Sequence, residues 1–501
     1  MNTRETLTAF LEEHRKENPV SFHMPGHKGR RFYEKYAPEA AALFDRSPDY
    51  DITEIPGADN LFQPETVIRR VMDRYRSLYE SRETYLLVNG SSAGLMAAIL
   101  TAVPQGGKLI MARNCHKSVF NGARLGGITP VYAWPEIIEE YGICGEVTAE
   151  EVERAVSEAP EASAVLVTSP NYYGICSDIE TIARVAHSHG MVLIVDQAHG
   201  AHLPFMNKKL AAEAGGADIV IDSTHKTLAS FTQTAIANIC SDRVDPDVFQ
   251  DRLQMLESTS PSYILMASLD LNAQILESRG AELMEQWREN LTYFYRRYKE
   301  IHGLSLMTHP ALDPTKLNLD MSALGLTGAD LEDELIKRGI YTELTTGNIA
   351  MAMTGIGNDK TDYDRLLAAL AEISENAAAT ATAASGAAEG ASATGDAAAA
   401  VSCESLNHDM NGVCGLSCIK RQAYSHKPET ASVPDKTEPV HYTEAAGRIS
   451  AGLIIPYPPG IPLVCPGEVM EESVLRYAFE LRRQGEKVIG MTADGFVRAG
   501  L

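Results

Sequence analysis

Between residues 83 and 240, short runs rich in Val, Ile and Leu alternate with amphipathic stretches. The runs ETYLLVN, KLIMAR, TPVYAW, ASAVLVTS, MVLIVDQ and ADIVIDS are apolar almost throughout instead of at every second position, the pattern of strands covered on both faces. Between them lie GSSAGLMAAILTAV, CHKSVFNGARLGG, TAEEVERAVSEA and DIETIARVAHSHG, which read as helices. Thr148 and Glu151 form a capping-box signature, Asp178 is placed to cap the next helix and Gly190 to end it. The alternation predicts an α/β fold: a large domain with a mostly parallel sheet flanked by helices.

With 501 residues the chain has room for two or three packed domains. Its expected order is an N-terminal segment (1–65), the large domain (66–302), a smaller α+β unit (303–375), an Ala/Thr/Gly-rich flexible insert (376–402) and a C-terminal unit (403–501). Residues 276–302 are dense in charge pairs and read as one long helix connecting the large and small units. The insert lacks apolar residues large enough to build a core. After it, EAAGRISAGLIIPYPPGIPLVCPGE returns to strand-like residues and rigid Pro/Gly turns.

A formal charge of −23 argues against nucleic acid or an anionic membrane as a partner, since phosphate binding needs a basic face. It mildly favours cationic small molecules through long-range attraction. No apolar run approaches the roughly 20 residues that span a bilayer, and the polar start MNTRETLTAFLEEHRK lacks a secretory pattern. A cytoplasmic location is therefore expected, and with it eight free cysteines. Cys403, His408, Cys414 and Cys418 fit no zinc spacing closely, so no metal is expected.

Four features each follow a separate predicted strand. In DSTHKTL, Lys226 comes just after ADIVIDS, where an amine can form an imine. Asp196 ends MVLIVD, at the carboxyl end of a parallel strand, where open α/β sheets bind ligands and where a carboxylate can keep a pyridine nitrogen protonated. NGSSAG (Asn89 to Gly94) joins a strand to a helix, turning backbone amides and the Ser91 and Ser92 hydroxyls toward an anion. His116, after KLIMAR, can stack on an aromatic ring. Singly these are weak; a surface lysine, a helix N-cap and a structural histidine are the ordinary readings. Together, phosphate cradle, stacking ring, pyridine partner and imine lysine point to pyridoxal 5′-phosphate.

The segments FHMPGHKGR, DITEIPGADNLFQPE, LVNGSSAG, RNCHKSVFNGA, VTSPNYYGICSDI, VDQAHGAH, DSTHKTL and AAGRISAGLIIPYPPGIPLVCPGE resemble the ornithine/lysine/arginine decarboxylases of the aspartate aminotransferase fold, fold type I. The likeness is to shorter members without an N-terminal receiver-like wing domain, and the alanine-rich insert departs from the family pattern. The resemblance implies Lys226 as the Schiff-base lysine, Asp196 as pyridine partner and His116 as stacking residue. It also implies Ser91, Ser92, Ala93 and Ser223 around the phosphate, with Ala198, His199 and His225 lining the cofactor. His199 or Lys226 is the expected proton donor.

The activity so implied is decarboxylation of a basic amino acid to the corresponding polyamine-pathway amine, with arginine first, lysine second and ornithine third. The alternative is an aminotransferase or another lyase of the same fold; Arg338 and Arg448 are available to clamp a substrate carboxylate, neither in an aminotransferase-like context. Glu54, Asp59, Glu343 and Glu468 are candidates for the cationic end of the substrate. The resemblance further implies a homodimer or larger homo-oligomer.

Overall fold

Strands whose two faces are both covered need helices above and below, and the chain supplies them in turn. The computed structural model describes residues 6–388, 428–429, 433–457, 460–483 and 486–501. Its centre is a seven-stranded sheet of β1 (Glu83–Leu87), β2 (Lys108–Ala112), β3 (Thr129–Ala133), β4 (Ala164–Thr168), β5 (Val192–Asp196), β6 (Ile219–Asp222) and β7 (Ala235–Ile239). The spatial order is β1-β7-β6-β5-β4-β2-β3. Only β7 runs against both of its neighbours. Every other strand therefore points the same way, and the carboxyl ends of β1, β2, β4, β5 and β6 share one edge. Thr168 pairs with Asp196 and Asp196 with Ile221, so three adjacent strands end level there.

Helices α1 (Leu7–Lys16) and α2 (Val67–Tyr79) precede the sheet; α3 (Gly90–Ala102), α4 (Lys117–Leu125), α5 (Ala149–Glu158) and α6 (Ile179–Ser188) link its strands. The Thr148 hydroxyl accepts from the Glu151 amide at the start of α5, and the Asp178 carboxylate from the Thr181 amide at the start of α6. The Glu151 carboxylate also takes the Trp134 N–H at 2.9 Å and Arg154, tying α5 to the end of β3.

The connecting helix is longer than charge pairing predicts. Helix α7 runs from Tyr263 to Arg297, followed by a 3₁₀ turn over Tyr298–Glu300. Its first turns bury Tyr263, Met266, Leu269 and Ala273 against the N-terminal segment, so the charges mark only the later, more exposed half. That later half buries Trp287, Leu291 and Phe294 against the small sheet β8 (Ser305–Leu306), β9 (Lys316–Asp320), β10 (Leu344–Thr346) and β11 (Ile349–Met353). The small sheet is antiparallel, in the order β8-β9-β11-β10, and is backed by α8 (Gly328–Ile336) and α9 (Lys360–Ala388).

Helix α9 also departs from expectation. It enters the alanine-rich segment and continues to Ala388, because alanine is the strongest helix former and the first Thr and Ser interruptions are scattered. The rest of that segment, with Cys403, His408, Cys414 and Cys418, lies outside the described residues. Near the C-terminus, strands β12 (Thr437–His441) and β15 (Phe496–Gly500) pair, as do β13 (Ile455–Tyr457) and β14 (Lys487–Ile489), and α10 (Glu472–Arg483) packs with them around Ile454, Leu475 and Ala478. No helix among the described residues is long and apolar enough to cross a membrane.

Candidate active site

The four features separated in sequence meet at the shared carboxyl edge. Lys226 follows β6 in a single helical turn, Thr224–Thr227, and its Nζ lies 2.9 Å from His199 Nε2 in the loop after β5. Burial pushes the Lys226 amine below its usual range, against the pull of the nearby Asp196 and Glu343 carboxylates. Burial likewise pushes the His199 ring well down, and Lys226 adds to the effect. Burial thus shifts both groups toward their neutral forms, which makes the Lys226 lone pair more available than that of an exposed lysine. The Lys226 Nζ also stands 5.9 Å from the centroid of Tyr172, whose ring packs on His199.

Asp196, the last residue of β5, is buried, and among the described residues its one hydrogen-bond donor is the Ala198 amide at 3.1 Å. Burial raises its carboxyl above the ordinary value, and the Lys226 charge opposes that rise. Ala198 itself is buried beside it. His116 sits at the amino end of α4, with Nδ1 2.8 Å from the Ser118 hydroxyl; burial, then Lys226, pushes its ring down to about 4. His225 donates from Nδ1 to the Thr234 carbonyl at 2.6 Å, which fixes its ring beside the turn that carries Lys226.

Helix α3 begins at Gly90, whose φ of +79° lets the chain turn sharply from strand to helix. Ser91 and Ser92 lie half-buried in its first turn and Ala93 is buried. Neither serine hydroxyl has a partner among the described residues. Ser223 Oγ, at the end of β6, is fully buried and also unpartnered, as are Thr168 Oγ1 at the end of β4 and His199 Nδ1. A buried polar atom without a partner carries a desolvation cost, so this group marks where a polar ligand would be received.

Other candidates take different roles. Asp59 accepts backbone N–H groups of Asn60, Glu65, Thr66 and Ile68, so it caps α2 and is not free to meet a substrate. Glu468 is buried in an ion pair with Arg113 at 3.1 Å and also takes the Cys465 amide. Arg113 donates to the carbonyls of Pro462 and Leu463, so the proline-rich segment is held against the end of β2. Arg338 pairs with Glu334 and Glu372, and Arg448 with Glu438, which leaves neither as a substrate clamp. Sequence reasoning missed Thr168, Tyr172 and a buried cluster of Lys316, Asp313 and His202 next to His199.

A parallel sheet with one reversed strand, bearing a helix amino end, a buried carboxylate and a buried lysine on one edge, defines the aspartate aminotransferase fold class. The chain belongs to the Orn/Lys/Arg decarboxylase family: the model of its major domain matches residues 6–305 and that of its C-terminal domain residues 416–495. An arginine decarboxylase of Bacillus subtilis (strain 168) is 32% identical over 502 residues, 98% of this chain and 96% of the relative. Lysine decarboxylase LdcA of Pseudomonas aeruginosa is 24% identical over 579 residues, 97% of this chain and 77% of the relative. The solved structure of lysine decarboxylase A from Pseudomonas aeruginosa superposes with a TM-score of 0.81 at 21% identity, over 99% of this chain and 80% of that one.

Proposed function

We propose that this chain is a cytoplasmic, pyridoxal 5′-phosphate-dependent decarboxylase of a basic amino acid, with arginine the first substrate and lysine and ornithine after it. The observation that carries the reading is the buried Lys226 amine, 2.9 Å from His199 and within the electrostatic reach of Asp196, on the sheet edge that also bears the helix amino end of α3. Family membership and the arginine decarboxylase relative support the choice of reaction and the order of substrates.

The residues fit the cofactor. Ser91, Ser92, Ala93 and Ser223 would hold its phosphate at the amino end of α3, where backbone N–H groups and unpartnered hydroxyls converge. Asp196 would face the pyridine nitrogen, His116 would stack on the ring, and Ala198 and His225 would line the cavity. When bound, the cofactor supplies an electron sink for the bond that breaks.

The chain's own part is to bind, orient and move protons. Lys226, shifted toward its neutral form by burial, is the amine able to condense with an aldehyde and to exchange with the substrate amine. His199 Nε2 and Lys226 Nζ share a hydrogen bond, so either atom can return a proton to the carbon that loses carbon dioxide. His116, neutral above about pH 4, adds no positive charge beside them. Among the acidic candidates, the exposed Glu343 bears electrostatically on Lys226 and is the choice to meet the cationic end of the substrate.

Incubating the purified protein with arginine, lysine and ornithine tests the reading. Agmatine and carbon dioxide are expected fastest. Faster cadaverine or putrescine would change the order of substrates, and a keto acid in place of an amine would replace the decarboxylase with an aminotransferase.

A further inference from the structure

Lys316 is completely buried, at the start of β9 in the small sheet, on an element outside the strand ends that form the site. Its three ammonium protons meet three acceptors: Asp313 Oδ2 at 2.8 Å, Thr315 Oγ1 at 2.9 Å and the backbone carbonyl of His199 at 3.0 Å. The last bond reaches the residue whose ring touches Lys226. The lysine stem is sealed by the turn after β4. Gly174 there has φ +94°, and a Cβ on it would come within 2.7 Å of Lys316 Cγ. The Asp313 amide donates to the Gly174 carbonyl at 2.8 Å, which fastens that turn to the same segment.

Asp313 serves a second arm. Burial alone would raise its carboxyl, yet Lys316 and His202 together hold it well below the ordinary carboxylate range. His202 Nε2 lies 3.2 Å from Asp313 Oδ2, and its Nδ1 lies 3.2 Å from the hydroxyl of Thr227, the neighbour of Lys226 in sequence. With Nε2 donating to Asp313, Nδ1 is left to accept from Thr227. Trp287 of α7 packs on the His202 ring, at 5.0 Å between centroids, and donates to Thr354. One buried ion pair thus grips the loop of His199 through a carbonyl and the turn of Lys226 through a hydroxyl.

We infer that Asp313 and Lys316 are positioning residues for the Lys226–His199 pair, with His202 and Thr227 carrying the second arm, so that the small sheet sets the geometry of the amine. This rests on the reading of Lys226 as the cofactor lysine. A purely structural ion pair would need no bonds to the two catalytic loops, and burying one is a poor route to stability, since an apolar pair of the same volume does as well or better. Preorganisation is what such a pair gives in return, because displacing a reacting group by about 1 Å can cost about 100-fold in rate.

The test uses the full-length protein loaded with pyridoxal 5′-phosphate. Asp313→Asn/Lys316→Met removes both charges at once and leaves no lone buried ion. The groups facing Lys226 that remain are Asp196, Glu343, His199 and His116. The pH midpoint of the cofactor's visible absorbance is expected to move upward, because of the two charges removed it is Lys316 that bears on the Lys226 amine and lowers it. The rate kcat is expected to fall about tenfold with KM changed less, since only the reacting geometry is disturbed. Thr227→Val breaks the second arm without touching the ion pair and is expected to lower kcat, with Thr227→Ser restoring it. A folded double variant with the parent's midpoint and a kcat within about twofold of it would overturn the inference. If the double variant does not fold, a Thr227→Val protein with unchanged kcat overturns it instead. A parent protein that neither takes up the cofactor nor releases carbon dioxide would overturn the reading of Lys226 itself, a separate result.

Discussion

At the scale of residues, Lys226 and Asp196 do opposite electrostatic work in one buried place: the carboxylate favours the ammonium form while burial favours the amine. The amine is what the chemistry needs. Lys226→Ala should abolish the cofactor's visible band in the purified protein and reduce amine formation to background, both read on one preparation. Full decarboxylation by that variant would remove the central assignment. The place of Asp196 was legible in the sequence because it is the first polar group after an apolar run, and that of Lys226 because DSTHKTL follows the next such run and resembles a family segment. The Lys316 cluster was not. Its contacts join residues more than a hundred positions apart, and in DPTKLNLD the lysine looks like any solvated residue at the start of a strand. Asp59 and Glu468 misled for the converse reason: acidic residues in loops look available until the backbone amides and the arginine that claim them are seen.

At the scale of elements, the strand order and the one reversed strand place the site, and two junctions hold it. The first is at the exit of β1, where the buried Glu257 carboxylate accepts the Val88 and Asn89 amides just before the cradle. Burial, partly offset by those two amides, raises Glu257 from 4.5 to about 7. A folded-state value above the unfolded one gives stability that is complete below about pH 4.5 and is lost as pH rises through about 7. Glu257→Gln should therefore flatten the decline in melting temperature between pH 5 and 8 by about 6 to 12 °C, since a rise from 4.5 to about 7 is worth about 3 kcal/mol and each kcal/mol moves a domain of this size by about 2 to 4 °C. An unchanged decline would mean that the carboxyl titrates at its ordinary value. The second junction is the buried Arg113–Glu468 pair, between the end of β2 and the segment that follows β13. Glu468→Ala leaves the guanidinium buried with only carbonyl partners, and should cost about 3 to 5 kcal/mol in urea unfolding. A loss under 1 kcal/mol would show the segment to be held by its apolar contacts alone. The alternating pattern gave away the large sheet but not the start of α7, whose apolar first turns look like core and carry none of the charge pairs that mark its later half.

At the scale of the whole molecule, the N-terminal segment between α1 and α2 is the outlier. Val20, Phe22 and Leu43 are 77%, 95% and 80% exposed, with Met24, Phe32, Tyr36 and Phe44 about half exposed beside them. So many large apolar side chains along one stretch exceed the scatter of single exposed residues that a monomer tolerates, which makes the stretch a candidate contact surface. We propose a second copy of the chain as that cover. In a molecule carrying −23, two copies repel at long range, so such an association would have to come from short-range apolar burial. The prediction has two parts that can fail separately. Sedimentation should give a species of twice 54.4 kDa whose proportion does not fall as salt is lowered to about 20 mM, where charge repulsion is strongest. Phe22→Asp/Leu43→Asp should yield a folded 54.4 kDa monomer, because neither side chain belongs to a core cluster of the single chain. If that variant still sediments as a dimer, the exposed stretch is not the interface.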